Sequence, residues 1–273
     1  GHARGMAHAN DVAYDAYLAN ERTLDDPEVV AVSKGGRVRL RIINGATATA
    51  FFVSTPGLRS ECVAVDGSPC RPLAATSYPL AQGQRIDLVV RIPAAGGAFP
   101  VLAAVEAARF QTGVILATPG ASVTRRPTSA ASPRPLVDAR LDAEVRALAP
   151  LPARTPDKRF TLRLGEEGHY RWTINGGVHG EHQPLSASVG ERVEITFENP
   201  SSMMHPMHLH GHHFQVVALG ARRLSGPVRD TVIVPVRASV TIAFDARQKG
   251  EWFLHCHHLY HMATGMMTEV KIA

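Results

Sequence analysis

Along most of this chain, polar and apolar residues alternate with the two-residue period of a strand buried on one face. The stretches "RVRLRIING" (Arg37 to Gly45), "QRIDLVVRIP" (Gln84 to Pro93), "ERVEITFENP" (Glu191 to Pro200) and "ASVTIAFDA" (Ala238 to Ala246) all carry it. Gly, Pro and Asn punctuate these stretches at short intervals, which predicts β-sandwiches rather than an α/β sheet. The expected fold class is all-β.

The pattern breaks between Thr118 and Pro156. "TPGASVTRRPTSAASPRP" is rich in Pro, Ser and Thr and has no strand period, so it reads as a linker. "LVDARLDAEVRALAP", which follows, predicts one short helix. The flanking halves echo each other: in "VSKGGRVRLRIIN" and in "ASVGERVEITFEN" a glycine turn leads into a strand that ends in Asn. Two copies of one sandwich type are expected, over residues 1–120 and 156–273, joined by a linker over residues 121–155. A length of 273 residues suits two domains of ordinary size and a large core without disulfide staples.

Composition narrows the partners. No run in the chain approaches the roughly 18 apolar residues of a membrane span. No signal peptide is read at the start, and Gly1 in place of a methionine points to a beginning that has been cut away. The net charge of +5 raises nucleic acid as a partner. The arginines are scattered, however, Lys34, Lys158, Lys249 and Lys271 are the only lysines, and no basic run is interleaved with aromatics. A solvated Arg-rich surface is the better reading.

Three cysteines are present. Cys62 and Cys70 flank "VAVDGSP", where Asp66-Gly67 is a hairpin turn signal that brings the two together. Two readings stay open: a disulfide, which suits an exported protein, and two free buried thiols.

The third cysteine lies in "FLHCHHLYHMATGMM" (Phe253 to Met267). Alternate residues of a strand point to opposite faces, so His255 and His257 project one way and Cys256 the other. One segment can then serve two metal centres, with the Cys256 backbone as a covalent bridge. His261 and Met266 follow on a loop that can fold back towards Cys256. "MMHPMHLHGHHF" (Met203 to Phe214) has matching parity: His208 and His210 share a face, and His205 has the opposite one.

Pairing the two segments gives two donor sets. Cys256, His205, His261 and Met266 offer a thiolate, two imidazoles and a weak thioether, the donors of a blue copper electron-transfer site. His208, His210, His255 and His257 form an all-imidazole cluster suited to copper that meets oxygen. A lone histidine is usually a hydrogen-bonded core or surface residue, but shared parity over six histidines, a cysteine and a methionine argues against that here. One Cys with a distant Met and histidines in two groups fits a closed tetrahedral zinc site poorly, so copper is the expected metal.

"HPMHLHG" followed by "HCHHLYHMATGMM", together with "WTINGGVHG" and "GEWFLHCH", resembles the C-terminal copper-binding domain of multicopper oxidases, the family of laccases, cuprous oxidases and bacterial copper-resistance oxidases. "RVRLRIINGATATAFF" and "VAVDGSPCRPLAATSYPLAQGQRIDLVV" resemble the copper-free middle domain of three-domain members. The resemblance covers nearly the whole chain. It implies two cupredoxin-like Greek-key β-sandwich domains joined by the Pro/Ser-rich linker. It also implies that His205, Cys256 and His261 ligate a type 1 copper with Met266 axial, that His208 binds a type 2 copper, and that His210, His255 and His257 bind a type 3 pair.

The implied activity is one-electron oxidation of a small reductant (a phenol, Cu(I) or Mn(II)) at the type 1 copper, through an exposed edge of His205 or His261. Dioxygen would be reduced to water at a trinuclear centre, with up to four coppers in a complete enzyme. The family's two further His-x-His pairs have no counterpart before the linker. His2 and His8 are too far apart, and "FFVSTPG" (Phe51 to Gly57) stands where a first domain would read like "HWHG". The trinuclear centre is therefore expected to be half complete, with the rest on a missing N-terminal cupredoxin domain. Met262 stands where many laccase-like members carry an acidic residue, a pattern closer to the periplasmic copper-resistance subgroup, so a bacterial periplasmic or otherwise exported location is implied.

Six of the seven methionines fall in the two copper segments, which leaves open both Cu(I) handling and packing. His212, His213 and His258 are expected beside the donors, His169, His179 and His182 at the surface or a pocket rim, and Asp230 as a structural carboxylate. A blue-copper carrier without oxidase activity is the rival reading. A copper nitrite reductase fits poorly, because its type 1 donors belong to the N-terminal domain, which here has none.

Overall fold

Nine strands between Val29 and Ala117 pair into two sheets that face each other. The computed structural model describes residues 12–168 and 170–273, so the expectations on His2, His8 and His169 lie outside the described residues. One sheet runs Val29–Ala31, Gln111–Ala117, Ala98–Val105, Phe51–Ser54, Tyr78–Leu80, and the other Arg37–Ile43, Arg85–Arg91, Ser60–Val65, Ser68–Ala75. The alternating strands behave as their sequences predict: Ile86, Leu88 and Val90 are fully buried, while Arg37, Arg39 and Arg41 stand in solvent.

The Asp66-Gly67 signal is a tight turn between Ser60–Val65 and Ser68–Ala75. Both residues are left-handed, with φ of 47° and 78°, as a type I′ turn requires. The hairpin brings Cys62 and Cys70 to 3.9 Å, Sγ to Sγ, as two buried free thiols.

Residues 121–155 do not hang free. Their backbone bonds to the first sandwich through Gln111 N–H to Thr128 O and Ala130 N–H to Arg109 O. Val137 N–H donates to the buried Glu106 carboxyl, and Leu151 N–H donates to Gln215 of the second sandwich. The helix expected there is a single turn, Arg140–Glu144.

The second sandwich packs a seven-stranded sheet on a five-stranded one. Its core is led by Phe197, Phe214 and Phe244, all at most 1% exposed, each worth about 1.5–3 kcal/mol of burial. In the five-stranded sheet the order is Leu185–Ala187, Met267–Ile272, Gly250–Cys256, His205–Leu209, Thr231–Val234. The two histidine-rich segments are thus hydrogen-bonded neighbours well inside the sheet.

The sandwiches share a small core of Ala50, Phe52, Ala81, Val137, Met204 and Ile233. Beside it Arg229, 1% exposed, pairs with Asp66 of the first sandwich at 3.1 Å and with Asp142 of the linker helix at 2.8 Å.

Candidate metal centre

Register fixes which donors meet. His205–Leu209 runs antiparallel to Gly250–Cys256, with Met207 opposite Cys256 and His208 opposite His255. His205 and Met207 share parity and so face the same side as Cys256, while His208 and His255 face the other. Adjacent residues of one strand therefore feed two donor groups on opposite faces of the sheet.

On the core side, Cys256 Sγ lies 3.7 Å from His205 Nδ1 and 3.7 Å from His261 Nδ1, and the two Nδ1 atoms are 3.2 Å apart. All three residues are fully buried. Ser201 Oγ, 3.0 Å from His205 Nε2, also reaches Asn199 Oδ1 and the Met203 carbonyl, both acceptors for its single proton. The hydroxyl is therefore free to accept Nε2–H, which leaves Nδ1 with its lone pair towards the sulfur. Burial, then the neighbouring His261 and His258 rings, holds His205 well below its ordinary pKa and keeps it neutral. Two imidazoles and a thiol converging in a dry pocket are a donor set that a copper ion satisfies.

His261 sits on a short helix, Leu259–Ala263, where the sequence suggests a loop. "HLYHMA" contains neither Gly nor Pro, and Met262 N–H closes the turn on His258 O. Met266 N–H then donates to His261 O and Cys256 N–H to Met266 O, so fully buried Met266 is tied by its backbone to both donors. Neither imidazole has the exposed edge that the sequence suggests: Trp172 covers His261 at 3.9 Å between ring centres, and His258 stacks on it at 3.6 Å and 5°.

On the other face the ligand nitrogens of His208, His210 and His255 lie within 4.8 Å of one another. His210 Nε2 and His255 Nε2 are 3.0 Å apart. His255 Nδ1–H donates to its neighbour's carbonyl, Cys256 O, at 2.9 Å, and His208 Nδ1–H donates to Asp230 O at 2.8 Å. A carbonyl only accepts, so both rings keep Nε2 as the free donor, the arrangement a metal needs. Burial pushes His255 down to about 4. His257 stands at the margin, its ring 5.8 Å from those of His208 and His255, and His210 opens to solvent.

Other expected residues sort by their contacts. Met203, Met204 and Met207 are buried in apolar cores, which is packing. His212 accepts the Arg247 and Gln248 amides and supports a turn. His213 is exposed, 4.0 Å from Asp230. His182, half-buried, bonds Thr268 and the Met267 carbonyl, and His179 pairs with Glu269 at the surface. Sequence reasoning missed Trp172, Gly83, Arg85 and Asp66, because each acts by a contact distant in sequence that no local pattern announces.

Two family models, both described as multicopper oxidase, match this chain, one over residues 3–120 and the other over residues 152–273. The chain belongs to the multicopper oxidase family. It is 34% identical over 263 residues to the multicopper oxidase MmcO of Mycobacterium tuberculosis, covering 95% of this chain and 51% of that protein. It is 24% identical to a copper resistance protein A homolog of Pseudomonas syringae pv. tomato, covering 98% of this chain and 59% of that one. Its fold matches the crystal structure of Fet3p, a multicopper oxidase that functions in iron import, with a TM-score of 0.81 at 16% identity, over 93% of this chain and 58% of that one. The all-β architecture is that of the family's cupredoxin domains, and this family member spans about half the length of the curated relatives it matches.

Proposed function

We propose that this chain is the copper-bearing, two-domain portion of an oxidase that couples one-electron oxidation of a small reductant to reduction of dioxygen to water. The observation that carries this reading is the adjacency of His255 and Cys256, successive residues that reach two donor groups on opposite faces of one sheet. In this reading His205, Cys256 and His261, with Met266 beside them, would hold the type 1 copper. His208 would hold the type 2 copper, and His210, His255 and His257 would hold the type 3 pair. Copper, when bound, supplies the one-electron redox chemistry and the binding of oxygen.

The chain's own residues supply geometry. Burial keeps the His205 imidazole neutral and water out, and the peptide between His255 and Cys256 gives a bonded path from one donor group to the other. Since Trp172 and His258 cover His261, the reductant docks outside that cover rather than against an imidazole edge. Phenols, Cu(I) and Mn(II) are the reductant classes that fit the family. The remaining donors come from an N-terminal cupredoxin domain with two His-x-His pairs. An exported, periplasmic setting is the natural one, given the likeness to a copper resistance protein.

Copper loading and an oxygen electrode test the reading. The loaded chain should show an intense blue thiolate-to-copper absorption that Cys256→Ser abolishes, with negligible oxygen uptake. Joined to such an N-terminal domain, it should consume oxygen in a copper-dependent way. A blue band that survives Cys256→Ser sinks the type 1 assignment, and a single copper with no uptake in the complete polypeptide establishes an electron carrier instead.

A further inference from the structure

Among the described residues the first sandwich contributes no donor to either group, yet residues 81–85 reach both ends of the oxygen-side set, the cluster of His208, His210, His255 and His257. Gly83 is left-handed, with φ of +80°, and lies flat against the His257 ring: a Cβ there would come within 2.5 Å of Cδ2 and 2.6 Å of Cγ. Gln84, fully buried, donates from Nε2 to Thr231 O at 2.9 Å. Arg85 forks onto Asp230, Nη1 to Oδ1 at 2.7 Å and Nη2 to Oδ2 at 2.6 Å, and Nη1 also ties back to Gly83 O at 2.9 Å.

Asp230 and Thr231 are the residues that hold His208. The ring's Nδ1–H points at Asp230 O, 2.8 Å away, and at Thr231 Oγ1, 3.0 Å away. Thr231 Oγ1 donates its own proton to Asp230 Oδ1 at 2.9 Å, so it accepts from the imidazole. From the first sandwich, Asp66 Oδ2 accepts the backbone N–H of Thr231 at 3.1 Å and of Asp230 at 3.3 Å. The two residues beneath His208 are therefore gripped by Asp66, Gln84 and Arg85 of the other domain. Burial works against a charged Asp230, and hydrogen bonds from His208, Arg85 and Thr231 more than offset it, holding the carboxyl below its usual range.

We propose that residues 81–85 of the copper-free domain are a positioning element for the oxygen-side donors. Arg85, through Asp230 and Thr231, fixes His208 with Nδ1 protonated and Nε2 free. Gly83 fixes the plane of the His257 ring. The role is geometric: an imidazole already held in its binding orientation loses little freedom when it takes a metal, and removing such outer partners typically lowers metal affinity about 10–100-fold. This assignment rests on the reading that His208 and His257 are copper donors.

Arg85→Met and Gly83→Ala, made in the 273-residue chain, test it in two states. Without metal, the His208 Hδ1 proton should be visible by nitrogen-edited NMR and slow to exchange, and Arg85→Met should broaden it or speed its exchange. With Cu(II), Arg85→Met should weaken the non-blue site about 10–100-fold while the blue absorption of the Cys256 site stays in place. Gly83→Ala should shift the His257 resonances and the non-blue EPR signal, again sparing the blue band. Arg85→Lys, which keeps the charge but not the fork, should fall between wild type and Arg85→Met and serves if the latter does not fold.

An unchanged His208 proton and unchanged non-blue affinity in Arg85→Met would reduce the loop to a domain clasp and overturn the proposal. Loss of the blue band together with the non-blue signal would point to a general fold defect and overturn it too. If no copper binds anywhere, the oxidase reading fails, while the metal-free proton signal still judges the positioning of His208.

Discussion

The indole of Trp172 lies over the imidazole of His261, their ring centres 3.9 Å apart and inclined by 31°. The same indole meets His205 edge-on at 5.1 Å and 68°. One buried side chain from strand Arg171–Ile174 thus braces both imidazoles of the core-side set. A cover this close excludes water from the thiol and imidazoles beneath it, which strengthens every electrostatic interaction inside.

Trp172→Ala removes the brace and leaves a large void. A core Trp→Ala change costs about 3–5 kcal/mol, enough to lower the melting midpoint by roughly ten degrees in a chain of this size. Trp172→Phe, which keeps most of the ring, should lose less than half of that. Thermal melts of the metal-free proteins decide it, and equal losses in the two variants would show that the indole does not pack as described.

What the sequence made legible, and what it hid, follows from the range of each interaction. Strand parity in "HLHGHH" and "FLHCH" separated the donors into two groups, because side-chain alternation is a local property. The Asp66-Gly67 turn was legible for the same reason. The burial of His205 and His261 was not, since it depends on Trp172 and on the ring of His258, and neither contact has a signature in spacing. The grip of Arg85 on Asp230 joins residues 145 positions apart. A charge at each end says nothing about which partner it will find. Asp230 was expected to be a structural carboxylate, and it is one, but its partners define what it supports.

Arg229→Met should destabilise the chain strongly. The guanidinium is 1% exposed and lies between Asp66 and Asp142, whose side chains are 0% and 3% exposed. Removing one member of a buried ion group leaves uncompensated charge and costs about 3–5 kcal/mol. Burial already pushes Asp142 up, and Arg229 is the main group that opposes the shift. Without it the carboxyl rises further, so the variant's deficit should grow as pH rises above the ordinary carboxylate range. Urea unfolding of both proteins at acidic and neutral pH checks this. A deficit under about 1 kcal/mol, the size of an exposed pair, would show that the group is solvated.

Glu106 gives the chain a pH dependence of its own. The side chain belongs to the first sandwich, is 2% exposed, and accepts the Val137 amide at 2.8 Å, which pins the linker to that sandwich. Burial raises its pKa to about 7, and the Val137 hydrogen bond offsets only part of that. An unfolded glutamate titrates near 4.3. At low pH both states are protonated and Glu106 adds no pH-dependent term. As pH climbs through the window between those values, the unfolded chain releases a proton that the folded chain retains, so stability falls, and the fall levels off above the folded value. The window corresponds to roughly 4 kcal/mol at most. Glu106→Gln keeps a neutral acceptor for Val137 N–H and removes the titration. The variant should match wild type near pH 3.5 and exceed it at pH 8, by up to about 4 kcal/mol. Denaturant midpoints for both proteins across that range measure the difference directly, and a gap that stays constant with pH would show that Glu106 titrates as an ordinary solvated carboxylate.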